Sequence, residues 1–161
     1  MAIQVGDKVP GATLGRMGKD GAEAVDLIDK LKGRKVVLFG LPGAFTGTCS
    51  SAHLPSFVRT ADDIRAKGVD EIICVSVNDL FVMAEWAKTT GANDAGLTML
   101  ADPKGDYARA LGLQFDAPPV GLYGRLERHA MIVEDGVITS LDVEEPGVCT
   151  ATAGEAVLAK L

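Results

Sequence analysis

The sequence predicts an α/β fold with a mixed central sheet flanked by helices. Three observations carry that prediction. Short apolar runs rich in β-branched residues alternate with stretches of helical spacing. The early runs are separated by helix-length crossovers, which parallel strands require. Near the C-terminus two further runs are joined only by the turn EDG, which implies an antiparallel pair. At 161 residues the chain is long enough to bury roughly 70% of its unfolded surface. One domain over residues 1–161 is therefore expected, with no need of disulfides or metal.

Residues 1–34 are Gly-rich and contain one short amphipathic piece, VDLIDKLKG, closed by Gly33. KVVLFGLP follows as a buried strand. A loop leads to a helix predicted from about Cys49 to Lys67 and closed by Gly68, with Leu54, Phe57, Val58, Ala61 and Ile64 at helical spacing. EIICVSV reads as a second buried strand, and a helix is expected from about Asp79 to Thr90. TMLAD is a short strand before a helix over about Lys104–Leu111. RHAMIV and VITSLDV form the hairpin within 126–143, and AGEAVLAKL ends the chain as a helix. A thioredoxin-like sandwich fits this order, as do other α/β folds with an antiparallel edge. Periodicity alone does not choose among them.

Composition narrows the function. Sixteen basic against 22 acidic residues give a net charge of -6, without a run of Lys or Arg. The phosphate contacts that dominate nucleic-acid binding are therefore missing. The start MAIQVGDKVPG lacks the basic and apolar regions of a secretory leader, and no apolar run approaches a membrane span. A cytoplasmic protein is expected. The cysteines are three, Cys49, Cys74 and Cys149, an odd number that argues against a disulfide framework. With only His53 and His129 beside them, no metal site is expected.

The chemistry concentrates in the segment PGAFTGTCSSAHLP, residues 42–55, between the first buried strand and its helix. Ligands of α/β sheets sit outside the carboxyl ends of strands, where this loop lies. Cys49 falls in the first helical turn, where free N–H groups and the helix dipole favour an anion. Thiols so placed titrate below the free value of about 8.5, and the thiolate is the nucleophile. Thr46, three residues earlier, carries a hydroxyl that can donate to the sulfur or to a bound oxygen. Pro42 ends the strand and can shield the thiolate, and a nearby arginine would add fixed positive charge. The plain alternative for Cys49 is an inert buried thiol.

These residues resemble the peroxiredoxins, and specifically their type II, or peroxiredoxin-5-like, subfamily. Pro42, Thr46 and Cys49 match the pattern P-x-x-x-T-x-x-C. GVDEIICVSVND, FVMAEWAK, RHAMIVEDG and LDVEEPG resemble subfamily segments in the same order, so the likeness covers nearly the whole chain. It implies a thioredoxin-like fold and a thiol peroxidase that reduces hydrogen peroxide and alkyl hydroperoxides. Cys49 would cycle through a sulfenic acid, recycled by glutathione with glutaredoxin or by thioredoxin. It implies no cofactor, and commonly a homodimer built around the active-site loops. The matching catalytic arginine is Arg128, carried by the strand that follows, with Arg125 as its competitor. Gly47, Leu80 and His129 depart from the usual subfamily residues.

Other residues stay open at this stage. His53, four residues after Cys49, is either a base, a group orienting the loop, or an ordinary buried histidine. Cys74 lies in a central strand and reads as a buried hydrophobe, although plant members of the subfamily resemble it in having a cysteine there. Cys149 lies near the C-terminus, as some resolving cysteines do, but its flanking sequence differs from theirs. An exposed Cys149 would be able to reach a sulfenic acid at Cys49. Glutathione is favoured as the trap for a sulfenic acid held in an accessible loop. Disulfide exchange is disfavoured, because Thr46 stands where a C-x-x-C motif has its first cysteine. A protein that signals or acts as a holdase through Cys49 oxidation is the rival of another class.

Overall fold

The structure, a computed structural model, describes residues 2–161. Seven strands form one mixed sheet, joined by β1 (Thr13–Gly18), β2 (Gly21–Asp26), β3 (Lys35–Leu41), β4 (Glu71–Ser76), β5 (Thr98–Ala101), β8 (His129–Glu134) and β9 (Val137–Val143) in the spatial order β2-β1-β5-β4-β3-β8-β9. β3, β4 and β5 run parallel, while β8 and β9 extend the β3 edge antiparallel. A separate pair, β6 (Gln114–Ala117) and β7 (Leu122–Leu126), lies outside this sheet.

Side chains alternate across β3, so the sheet has two buried faces. Val37, Phe39 and Leu41 pack with Ile72 and Cys74 of β4 under α2 (Leu54–Ala66), α3 (Leu80–Thr89) and α5 (Gly154–Leu158). Val36 and Leu38 face the other way, toward Leu27 and Leu31 of α1 (Leu27–Leu31) and Tyr107 and Leu111 of α4 (Asp106–Leu111). Burial on both faces explains why β3 and β4 are nearly continuous apolar runs.

The predicted α/β architecture is present, with two corrections. Residues 1–34 hold the β1–β2 hairpin, where a Gly-rich stretch with one amphipathic piece was expected. Most of β2 is exposed, so it lacks the apolar alternation that marks a strand. Its pairing with β1 holds it, through six matched positions. The helix expected from Cys49 begins instead as a π-helical turn, Cys49–His53, and becomes α-helical at Leu54. Pro55 accounts for the wider turn. It has no N–H for an α-helical bond to Ser51, and its ring would crowd that carbonyl.

Candidate active site

The site forms where β3 ends and the π-helical turn begins. Phe45 occupies a left-handed conformation, φ 62°, within the intervening loop and is exposed. Such a residue carries about 1 kcal/mol of backbone strain, so the loop must be held from outside. Two groups that sequence reasoning did not single out hold it. The Ala44 N–H donates to Oδ1 of Asn78 (3.0 Å), and Nε1 of Trp86 on α3 donates to Oγ of Ser50 (3.0 Å).

Cys49 is 1% exposed. Its sulfur is therefore buried, and the expected accessible loop is corrected. Arg128 directly precedes β8, rather than lying within the strand, and is also buried. Its Nη2 donates to the Cys49 sulfur at 3.3 Å, and its Nη1 donates to Nδ1 of His53 at 2.9 Å. Its Nε is buried without a hydrogen-bond partner among the described residues. Arg125 turns elsewhere and donates through Nη1 to the Pro42 carbonyl (3.1 Å). Of the two arginines, only Arg128 meets the sulfur.

His53 is fully buried and tilts against Phe39, with ring centroids 5.1 Å apart. Nδ1 accepts from Arg128, so the ring proton sits on Nε2 and donates to the Thr152 carbonyl (3.1 Å). Burial and the adjacent Arg128 charge push its pKa down to about 3. The ring is neutral and both nitrogens are occupied, which leaves no free nitrogen to serve as a base.

Thr46 is half-buried, and its hydroxyl donates to the Gly43 carbonyl at 2.7 Å. The proton expected at the sulfur or at a bound oxygen is thus given to the loop backbone, while the hydroxyl oxygen remains able to accept. Pro42 and Arg128 line a cavity of about 240 Å³ together with Phe115, Glu127, Glu144 and Pro146. A larger cavity, about 690 Å³, lies against β1 and α3 and touches none of the predicted site residues.

The other cysteines take different positions. Cys74 is fully buried in β4, and burial, with the nearby Cys49, raises its pKa well above that of a free thiol. Cys149 is half-buried, not exposed as expected, and burial raises its pKa as well. No two of the three form a disulfide. No cluster of metal-ligating side chains occurs among the described residues.

Comparison with known proteins follows the same lines. The Redoxin family profile matches residues 4–157. The chain is 45% identical over 163 residues to a chloroplastic peroxiredoxin-2E-2 of Oryza sativa subsp. japonica, covering 99% of this chain and 72% of that protein. It is 43% identical to a peroxiredoxin-2C of the same plant, over 99% of this chain and 98% of the other. Among solved structures it is similar to reduced Prx3 of Vibrio vulnificus in complex with hydrogen peroxide. Identity there is 43% and the TM-score is 0.92, over 98% of each chain. Peroxiredoxin 5 of Alvinella pompejana superimposes with a TM-score of 0.84 at 33% identity, over 98% and 96% of the two chains.

Proposed function

The chain belongs to the Redoxin family and is a type II peroxiredoxin, and on that premise we propose how its residues carry the reaction. The enzyme is a thiol peroxidase that reduces hydroperoxides at the expense of a thiol reductant. We assign the peroxidatic role to Cys49. The observation that carries this reading is the contact between Arg128 Nη2 and the Cys49 sulfur, both buried where β3 ends. A cation held beside a thiol favours its thiolate form.

In this mechanism the Cys49 thiolate attacks the terminal peroxide oxygen in line. An S–O bond forms as the O–O bond breaks, and the sulfur loses two electrons. Water or alcohol leaves after taking up a proton, and Cys49 becomes a sulfenic acid. Arg128 stabilises the charge developing across the O–O bond, and its unpartnered Nε is a further donor. The Thr46 oxygen accepts from the incoming hydroperoxide and aligns it. Pro42, held by Arg125, keeps water from the thiolate. His53 supports the site by fixing Arg128 and does not move protons.

Recycling follows from burial. A thiol larger than peroxide reaches the oxidised sulfur only when the π-helical turn unwinds. Cys74 is locked in β4, and burial raises the pKa of Cys149, which disfavours its thiolate. Glutathione is therefore the favoured partner: it displaces water from the sulfenic acid, and glutaredoxin then reduces the mixed disulfide, with thioredoxin second. Residues 1–161 act as one domain. Phe45, in the site loop, and Phe81, in the first turn of α3, are large exposed apolar side chains that suit a homodimer interface. The compartment is the cytoplasm, in keeping with three free cysteines. No helix among the described residues is long and apolar enough to cross a membrane.

Peroxide consumption with glutathione–glutaredoxin and with thioredoxin, compared side by side, tests the reductant. The Cys74→Ser, Cys149→Ser double variant should keep most of its glutathione–glutaredoxin activity. Loss of activity in Cys149→Ser alone, with a Cys49–Cys149 disulfide, would assign resolution to Cys149 instead.

A further inference from the structure

Glu144 follows β9 and touches the site from two directions. Its N–H donates to the carbonyl of Arg128 at 2.9 Å. Its carboxylate accepts from the Thr152 N–H (3.4 Å) and hydroxyl (3.1 Å), from the Thr150 hydroxyl (3.4 Å), and from the Thr150 N–H. Partial burial opposes its charge, but these bonds outweigh that and hold its pKa below the ordinary carboxylate value. The carboxylate thus gathers one tight turn around itself.

That turn presents the carbonyl of Thr152, which is fully buried, to Nε2 of His53. The bond fixes the His53 tautomer with its proton on Nε2, so that Nδ1 can accept from Arg128. Arg128 then directs its other nitrogen at the Cys49 sulfur. The chain of contacts runs from Glu144 through Thr152, His53 and Arg128 to Cys49, and the Glu144 N–H returns it to the Arg128 backbone.

We propose that Glu144 is a positioning residue for the peroxidatic pair: its carboxylate shapes the turn that sets His53, and His53 sets the guanidinium beside Cys49. The proposal rests on the reading of Cys49 as the peroxidatic residue. It differs from a surface staple in what it controls. A staple would hold only the segment 144–152. This arrangement passes geometry to a sulfur that Glu144 does not touch. Misplacement of a catalytic group by about 1 Å costs up to 10²-fold in rate, so a distant carboxylate can matter to the chemistry.

The test uses the full chain in a Cys74→Ser, Cys149→Ser background, where ultraviolet thiolate absorbance reports Cys49 alone. Three quantities are measured for Glu144→Gln and Glu144→Ala: the midpoint of Cys49 ionisation, the second-order rate with hydrogen peroxide, and the melting temperature. Glu144→Ala should move the midpoint upward and slow the peroxide step by about tenfold or more. Glu144→Gln keeps one acceptor oxygen and should fall between. Adding His53→Leu to Glu144→Ala should cost little beyond the slower single variant, because both act through Arg128. An unchanged midpoint and rate would overturn the proposal. So would a slower rate with an unshifted midpoint that tracks a lowered melting temperature, and so would fully additive losses. If Glu144→Ala does not fold, Glu144→Gln decides by the same criteria. The absorbance titration reads the Cys49 sulfur without turnover, so failure of the peroxidatic assignment, seen as activity in Cys49→Ser, stays distinguishable.

Discussion

Arg128 reaches the sulfur of Cys49 at 3.3 Å inside the protein, where neither residue is more than 5% exposed. A guanidinium this buried is held by its partners, and here one partner is the sulfur itself. Its neighbour Arg125, three residues earlier, is spent on the Pro42 carbonyl. Two arginines near one loop therefore have separable roles.

Arg128→Met should fold and slow the peroxide step by about 10²–10³, the usual loss for one fixed donor to developing charge. Arg125→Met should slow it less, because it loosens the loop without uncovering the sulfur. Stopped-flow rates with hydrogen peroxide check the order. If Arg125→Met is the slower variant, the assignment of Arg128 is wrong.

The two histidines predict a pH dependence of stability. Burial lowers the pKa of His53 to about 3, with help from Arg128, and burial lowers that of His129 to about 4. Both values lie below the unfolded value of about 6.5. The unfolded chain therefore takes up protons first as pH falls, and stability drops with it. The contribution is complete above about pH 6.5 and declines through pH 5, where each histidine has cost about 2 kcal/mol. Urea unfolding at pH 7 and pH 5 should show the drop, and His129→Phe should remove about half of it. Neither imidazole should titrate between pH 5 and 8 by NMR of the native protein.

Gly154 marks a close approach of two helices. Its N–H donates to Oγ of Ser56 at 2.8 Å, and an added Cβ would lie 2.5 Å from the Ser56 carbonyl oxygen. Gly154→Ala should push α5 from α2 and cost about 1–3 kcal/mol. Thr152 lies two residues upstream, so the peroxide step should slow as well. Thermal melting and the peroxide rate, measured together, check this. An unchanged melting temperature would show that the helices separate freely.

Much of this was legible in the chain. β3 and β4 announced themselves because burial on both faces makes KVVLFGL and EIICVS nearly continuous apolar runs. Cys49, Thr46 and Pro42 stood out because a reactive thiol needs a particular junction of strand and helix, and the spacing encodes it. Arg128 could be narrowed only to a pair, since 79 residues separate it from Cys49 and no local pattern says which arginine turns inward. The β1–β2 and β6–β7 pairs escaped notice. Their residues are largely polar, glycine or partly exposed, and pairing rather than pattern holds them. Asn78, Trp86 and Glu144 were silent for a related reason. Each acts through one or a few hydrogen bonds made across the fold, which spacing along the chain does not reveal.

The central claim is that the Cys49 thiolate reduces the peroxide, and one measurement tests it most directly. Wild type and Cys49→Ser are each mixed with one equivalent of hydrogen peroxide and a sulfenic-acid trap, and peroxide loss and the trapped residue are followed together. Wild type should consume the peroxide and carry the trap at Cys49, while Cys49→Ser should consume almost none, because a serine hydroxyl cannot supply the nucleophile. Peroxide consumption by Cys49→Ser at a rate near wild type, or trapping at Cys74 or Cys149 in the wild-type chain, would contradict the account.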